Sequence, residues 1–259
     1  QKPSTLGDAV EAFSAADDGV YLAGGQTILP VMKLGLAAPE EVIDLNGIEE
    51  LQAITASGSV ISIGAMATHA TVAASEDVKQ PLPALASLAG IIGDPQVRNR
   101  GTIGGSLANN DPSADYPAAA LGSGATIVTN NRDIAAADYF QGMFATALDE
   151  GEIITEVKFP VPEKAKYMKF EQPASRFALV GVFVAKYADG VRVAVTGASN
   201  DGVFRWSEAE AALSKDFSAG ALDGLSVPGD GMISDLHGSG DYRAHLVAVM
   251  TKRAVAAAH

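Results

Sequence analysis

Apolar positions along the first half of the chain repeat at helical and strand spacings in turn. Behind Thr5, a residue suited to capping, Leu6, Val10 and Phe13 fall on one helical face and predict an amphipathic helix. Val20-Tyr21-Leu22-Ala23 reads as a short buried strand and Ile28 to Leu34 as a short helix ended by Gly35. Glu41 to Leu45 reads as a second strand, so the opening is a βαβ-like unit. Val60 to Ala65 alternates Val60, Ser62 and Gly64 with Ile61, Ile63 and Ala65, the pattern of a half-buried strand. Thr68 is then expected to cap a helix, with His69 beside it exposed or cap-adjacent and without a functional role. A second helix is expected over Leu82 to Ile91, strands over Ala125 to Thr129 and Glu152 to Phe159, and a short helix over Ala137 to Phe140.

Pro160-Val161-Pro162 is the clearest break, and the domain boundary is placed there. Beyond it, Phe177 to Tyr187 and Val191 to Gly197 are apolar runs joined by Ala188-Asp189-Gly190, a hairpin signal. Ser207 is expected to cap a helix over Glu208 to Leu213, and Tyr242 to Ala257 to form a closing helix. Strands followed by helices predict an α+β module. The chain shows no internal repeat and no low-complexity linker.

The chain has 259 residues, 47% of them hydrophobic, enough for a sizeable core in one large domain or two smaller ones. No apolar run approaches the length of a transmembrane helix. A net charge of −13 without a basic stripe argues against nucleic-acid binding. Cysteine is absent, which excludes disulfides, a thiol nucleophile and an iron–sulfur cluster held by this chain. The histidines, at 69, 237, 245 and 259, form no metal-spaced set. The chain begins at Gln1, so residues ahead of it are expected to be missing; no signal peptide is visible, and removal of one stays open.

Two glycine-paired, hydroxyl-bearing stretches carry the candidate chemistry: Ala23-Gly24-Gly25-Gln26-Thr27 and Thr102-Ile103-Gly104-Gly105-Ser106. Neither contains an acidic residue. Glycine allows close backbone approach and positive φ, and successive N–H groups then form an anion-binding nest. Two such loops are expected to hold a pyrophosphate from both sides. Neither reads as the Rossmann or P-loop fingerprint. Arg98 and Arg100 flank the second stretch as surface or ion-paired charges, or to neutralise a ligand or meet a partner. After it, Asp111 and Asp115 stand close enough for a general acid/base pair. The alternative is that a carboxylate accepts hydrogen bonds from ribose hydroxyls, with Asp111 forming an Asx-turn before Pro112.

The stretches AGGQTILPVMK and VRNRGTIGGSLANNDPSADYP resemble the FAD-binding medium subunits of the molybdenum hydroxylases, the group that includes carbon monoxide dehydrogenase and xanthine dehydrogenase. That family writes its loops as AGG-[small or polar]-[Ser/Thr] and T-I-G-G-[Asn/Ser]; Gln26 stands where relatives often carry His or Thr. The likeness runs from Pro3 to the C-terminal helix. It implies a flavin domain of the vanillyl-alcohol-oxidase type over residues 1–160, in subdomains of about 1–55 and 56–160. A C-terminal domain of three-stranded antiparallel sheet plus helices over 161–259 would follow.

The resemblance further implies FAD on this chain, bound by Ala23, Gly24, Gly25, Gln26, Thr27, Thr102, Ile103, Gly104, Gly105, Ser106, Asp115 and Lys169. Asp115 would contact the ribose or adenine side, and Lys169 would lie near the flavin across the domain boundary; without the likeness, Lys169 reads as a solvated surface charge. No catalytic side chain and no metal ligand is assigned. The molybdenum cofactor would sit on a large subunit and [2Fe–2S] clusters on a small one, in a dimer of heterotrimers. Electrons would pass from those clusters through FAD to quinone, NAD or oxygen. Val97, Arg98 and Asn99 are the candidate contact region, and the complex would be cytoplasmic or membrane-associated through its partners. The competing readings are a self-sufficient FAD oxidoreductase of the same fold, such as the enolpyruvyl reductase of cell-wall synthesis, a flavin-free scaffold, and an acidic α/β binding module.

Overall fold

The computed structural model describes residues 1–259 and is a mixed assembly of helices and four sheets. The chain opens with α1 (Leu6–Ser14), β1 (Gly19–Leu22), α2 (Ile28–Lys33) and β2 (Glu41–Asp44). The Thr5 hydroxyl caps α1 by accepting the Asp8 N–H at 3.1 Å. β1 and β2 pair in parallel, Gly19 opposite Glu41 through Leu22 opposite Asp44, so the opening is a βαβ unit. Its small core joins Ala9, Ala12, Ile43, Leu45, Ile48 and Leu51 to Met66 and Ile153.

Next come β3 (Ile54–Ser57), β4 (Val60–Gly64), α3 (His69–Ala74), α4 (Glu76–Lys79), α5 (Pro83–Gly90), α6 (Pro95–Arg98), α7 (Ile103–Asn109) and α8 (Tyr116–Ser123). β5 (Thr126–Thr129), β6 (Asp133–Ala135), α9 (Ala136–Tyr139), β7 (Phe140–Gly142), β8 (Ala145–Thr146) and β9 (Ile154–Pro160) follow. A five-stranded antiparallel sheet runs β3-β4-β9-β5-β6. Its apolar face, with Ile61, Ile63, Ile127, Val157 and Phe159, packs against the helices through Leu85, Leu88, Ile103 and Leu107.

The last segment holds β10 (Lys164–Glu171), β11 (Ala178–Tyr187), β12 (Gly190–Ser199), β13 (Gly202–Arg205), α10 (Ser207–Lys215) and α11 (Gly240–Ala257). Its antiparallel sheet, β10-β11-β12-β13, has a fourth strand beyond the three that the family likeness implies. Side chains along β11 alternate between two cores. Val180, Val182 and Val184 face α10 and α11, whereas Phe183 and Ala185 join the core of the five-stranded sheet. β11 is therefore apolar on both faces, as its unbroken hydrophobic run requires.

Two local expectations fail. Ser207 is the first helical residue of α10, and Trp206, 2% exposed, takes the cap position without a side-chain bond. The helix start is fixed by burial of that indole and by Glu210, which pairs with Arg205 and accepts the Val193 N–H at 2.9 Å. His69, expected near the surface, is buried at 5% exposure. Its helix is capped as expected, the Thr68 hydroxyl accepting the Thr71 N–H at 3.1 Å, but the capped end packs inward under the second glycine stretch.

Candidate functional site

β1 delivers the chain into the first glycine loop. The Asn46 side-chain amide donates to the Ala23 carbonyl at 2.9 Å and ties the loop to the end of β2. Gly25 takes a φ of +73°, which favours glycine. Gly24 lies against the other loop: a Cβ there would strike the Arg100 carbonyl and come within 2.7 Å of the Gly101 Cα. The N–H groups of Gly24, Gly25, Gln26 and Thr27 donate to no group within the chain. Thr27 precedes α2, and its hydroxyl makes no cap bond. Four successive donors are thus unspent on one turn of backbone, the arrangement that receives an anion.

The second loop is built differently. The Thr102 hydroxyl caps α7 by accepting the Gly105 N–H at 3.1 Å. The Ile103 N–H goes to the Ala67 carbonyl at 3.2 Å and the Gly104 N–H to the Ala65 carbonyl at 2.8 Å. Three donors that the sequence offers for a phosphate are therefore committed to the protein. Gly104 is small because it sits on the end of β4, where a Cβ would come within 2.6 Å of the Ala65 methyl. The second loop acts as a wall against which Ala23 and Gly24 stand.

Asp115 and Lys169, distant in sequence, meet. The Lys169 ammonium lies 3.0 Å from Asp115 Oδ1, and the Tyr167 hydroxyl donates to the same oxygen at 2.6 Å. The Lys169 side chain is only 1% exposed, so it is a buried counter-ion and not a solvated surface charge. Burial pushes the Asp115 carboxyl up, against the pull of the Lys169 ammonium and the Tyr167 hydroxyl. Sequence reasoning missed Tyr167; the one available signal was that residues 167 and 169, two apart on a strand, share a face. Asp111 forms the expected Asx-turn, its carboxylate accepting the Ser113 N–H at 2.8 Å.

Arg98 is neither ion-paired nor free. Its guanidinium donates to the Ile92 and Gly93 carbonyls, each at 3.0 Å, and fixes the turn between α5 and α6. Val97 is half-buried beside Gly93, whereas Asn99 and Arg100 are exposed. A cleft of about 410 Å³ lies elsewhere; Glu50, Thr55, Ser62, Thr155 and Glu156 line it, and neither loop does.

A family model described as the FAD binding domain in molybdopterin dehydrogenase matches residues 1–162. The carbon monoxide dehydrogenase medium chain of Hydrogenophaga pseudoflava is 34% identical across 99% of this chain and 95% of its own. The chain belongs to the FAD-binding medium subunits of the molybdenum hydroxylases. The nicotine 6-hydroxylase medium subunit of Paenarthrobacter nicotinovorans is 36% identical, with 98% of this chain and 94% of the relative covered. Among solved structures, the Hydrogenophaga pseudoflava carbon monoxide dehydrogenase that lacks the Mo-pyranopterin moiety of its cofactor superposes with a TM-score of 0.87 at 35% identity. That match covers 99% of this chain and 95% of the other. Quinoline 2-oxidoreductase from Pseudomonas putida 86 gives 0.88 at 28% identity, covering 98% and 94%. As a medium subunit, the chain is an FAD-binding component of an oxidoreductase, and the unspent donors of its first loop fit the negative charge of a dinucleotide cofactor. No helix is long and apolar enough to cross a membrane.

Proposed function

We propose that this chain carries FAD between its two glycine loops and relays electrons within a multi-subunit molybdenum hydroxylase. The observation that carries the proposal is the run of free N–H groups from Gly24 to Thr27, held against the second loop. Ala23 to Thr27 hold the pyrophosphate, and Thr102, Ile103, Gly104, Gly105 and Ser106 shape the opposite wall. Asp115 faces the adenosine side, and Lys169, oriented by Asp115 and Tyr167, completes the site. When bound, FAD supplies one- and two-electron redox chemistry, while the protein contributes binding and orientation.

The layout is that of a vanillyl-alcohol-oxidase-type flavin domain, residues 1–160, with subdomains at about 1–55 and 56–160. The small core of the opening unit, to which only Met66 and Ile153 come from the second subdomain, supports the first division. A C-terminal α+β domain spans 161–259. Its core is shared with the flavin domain: Tyr167 and Phe183 pack with Tyr116 and Phe159, and the Thr196 hydroxyl donates to the Pro112 and Ala114 carbonyls at 3.0 and 2.7 Å.

The partners are an iron–sulfur small subunit and a molybdopterin large subunit, arranged as a dimer of heterotrimers in the cytoplasm. Without cysteine, this chain has no thiolates with which to hold the clusters that feed it. The exposed part of the lead into the second loop, Asn99 and Arg100, is the contact region. The test is to purify the chain alone and with its neighbours and to follow substrate-dependent dye reduction. Flavin bands on the isolated chain, with turnover only in the complex, are expected; full turnover by the chain alone overturns the subunit reading.

A further inference from the structure

His69 is buried at the base of the second glycine loop, yet its Nδ1 has no hydrogen-bond partner. Nor does the hydroxyl of Tyr116, which is fully buried and whose ring lies 5.3 Å from the imidazole at a 50° tilt. Unpaired buried polar atoms are uncommon in folded proteins and call for a reason. Hydrogen bonding by the ring does not supply one here, so what the imidazole contributes is its shape and its place. Gly101 also lies against the ring. A Cβ on that glycine would stand 2.5 Å from His69 Nε2 and 2.9 Å from Cδ2. The His69 N–H donates to the Gly101 carbonyl at 2.9 Å, so ring and backbone grip the same residue. Gly101 in turn supports the first loop, since its Cα blocks any side chain on Gly24. Tyr116, whose ring lies beside the imidazole, directly follows Asp115 in the chain.

Two further features agree. Burial, with the nearby Arg98 guanidinium adding, pushes the imidazole down to about 4, so it is neutral near pH 7 and brings no charge beside the loop. Arg98 itself is committed to the Ile92 and Gly93 carbonyls, and the helix packed along α3, α5, carries no titratable side chain.

We propose that His69 is a positioning residue for cofactor retention: its ring props Gly101 and sets the height of the second loop against Ala23 and Gly24. This rests on the proposed FAD site. His69 touches the loop and not the cofactor, so its effect reaches the site through Gly101.

The test is a double-mutant cycle on the chain stripped of flavin. FAD affinity is measured by quenching of flavin fluorescence, and the melting temperature of each apo-variant is measured separately. Gly101→Ala is expected to weaken FAD binding by about 10-fold, because its methyl presses on the imidazole, and His69→Ala by a similar factor. The double variant, in which the methyl occupies part of the vacated space, is expected to bind better than Gly101→Ala alone. His69→Leu, which restores bulk without the planar ring, is expected to fall between the parent and His69→Ala; it carries the test if Gly101→Ala does not fold. An unchanged affinity in His69→Ala, or losses that simply multiply in the double variant, overturns the role of His69. Failure of the parent chain to bind FAD overturns the cofactor reading itself, a distinguishable result.

Discussion

The Tyr167 hydroxyl donates to the Asp115 carboxylate at 2.6 Å, in the core where the four-stranded sheet meets the helices of the five-stranded one. The hydroxyl reaches the carboxylate by passing over Gly181, where any Cβ would collide with it. With Lys169 on the same carboxylate, the region expected to face the adenosine end of FAD is built on a buried ion pair.

Breaking that pair is expected to unsettle the fold before it affects the cofactor. Asp115→Ala leaves a buried ammonium uncompensated, a cost of roughly 3–5 kcal/mol. The double variant Asp115→Asn/Lys169→Met removes both charges and should recover most of that loss in urea denaturation. Its flavin content then reads the role of the Asp115–Lys169 pair. Parental retention makes the pair structural only; reduced retention in a stable variant supports its place in the cofactor site.

Gly24→Ala should lower both flavin content and apo-stability, because its methyl meets the backbone of Arg100 and Gly101, which has no room to yield. A loss of about 2–3 kcal/mol corresponds to a fall in melting temperature of roughly 4–12 °C for a chain this size. A normal melting curve with normal flavin content would contradict the packing of the two loops.

The unspent donors of the first loop predict selectivity for phosphate. ADP and inorganic pyrophosphate should raise the melting temperature of the apo-chain, and adenosine should not. At 100 times the dissociation constant, a ligand stabilises by about 2.7 kcal/mol. Equal stabilisation by adenosine would move the recognition away from Gly24 to Thr27.

Glu152 should make the fold acid-sensitive. Its side chain is fully buried; the Arg132 guanidinium holds the carboxyl at about 2, helped by the Thr129 hydroxyl and the Asp149 N–H. A depressed folded-state value stabilises above the ordinary glutamate range, and that contribution is lost as pH falls through about 2. Discounted for the half-exposed Arg132, it is about 1 kcal/mol. Stability measured in denaturant from pH 7 down to 3 should therefore decline more steeply for the parent than for Glu152→Gln, which starts lower. Parallel slopes would rule the carboxylate out as the source.

The sequence by itself determined what short-range chemistry controls. Thr5 and Thr68 cap their helices because a hydroxyl reaches an N–H three residues on. Asp111 turns the chain onto its own neighbours, the β11–β12 hairpin follows from two apolar runs around Asp189-Gly190, and both glycine stretches announce close backbone contact. Only the tertiary structure decided which of those glycines face a ligand and which face protein. The donors of Ile103 and Gly104 are spent on Ala67 and Ala65, and Gly24 is small for the sake of Arg100, far along the chain. The same holds for His69, a cap-adjacent residue by pattern and a buried prop in the fold, and for Lys169, whose partner lies 54 residues away. Helical and strand periodicity records which face of an element is apolar. Which distant segment covers that face, and so whether a donor is free or a charge is paired, is fixed only when the sheets and helices close on one another.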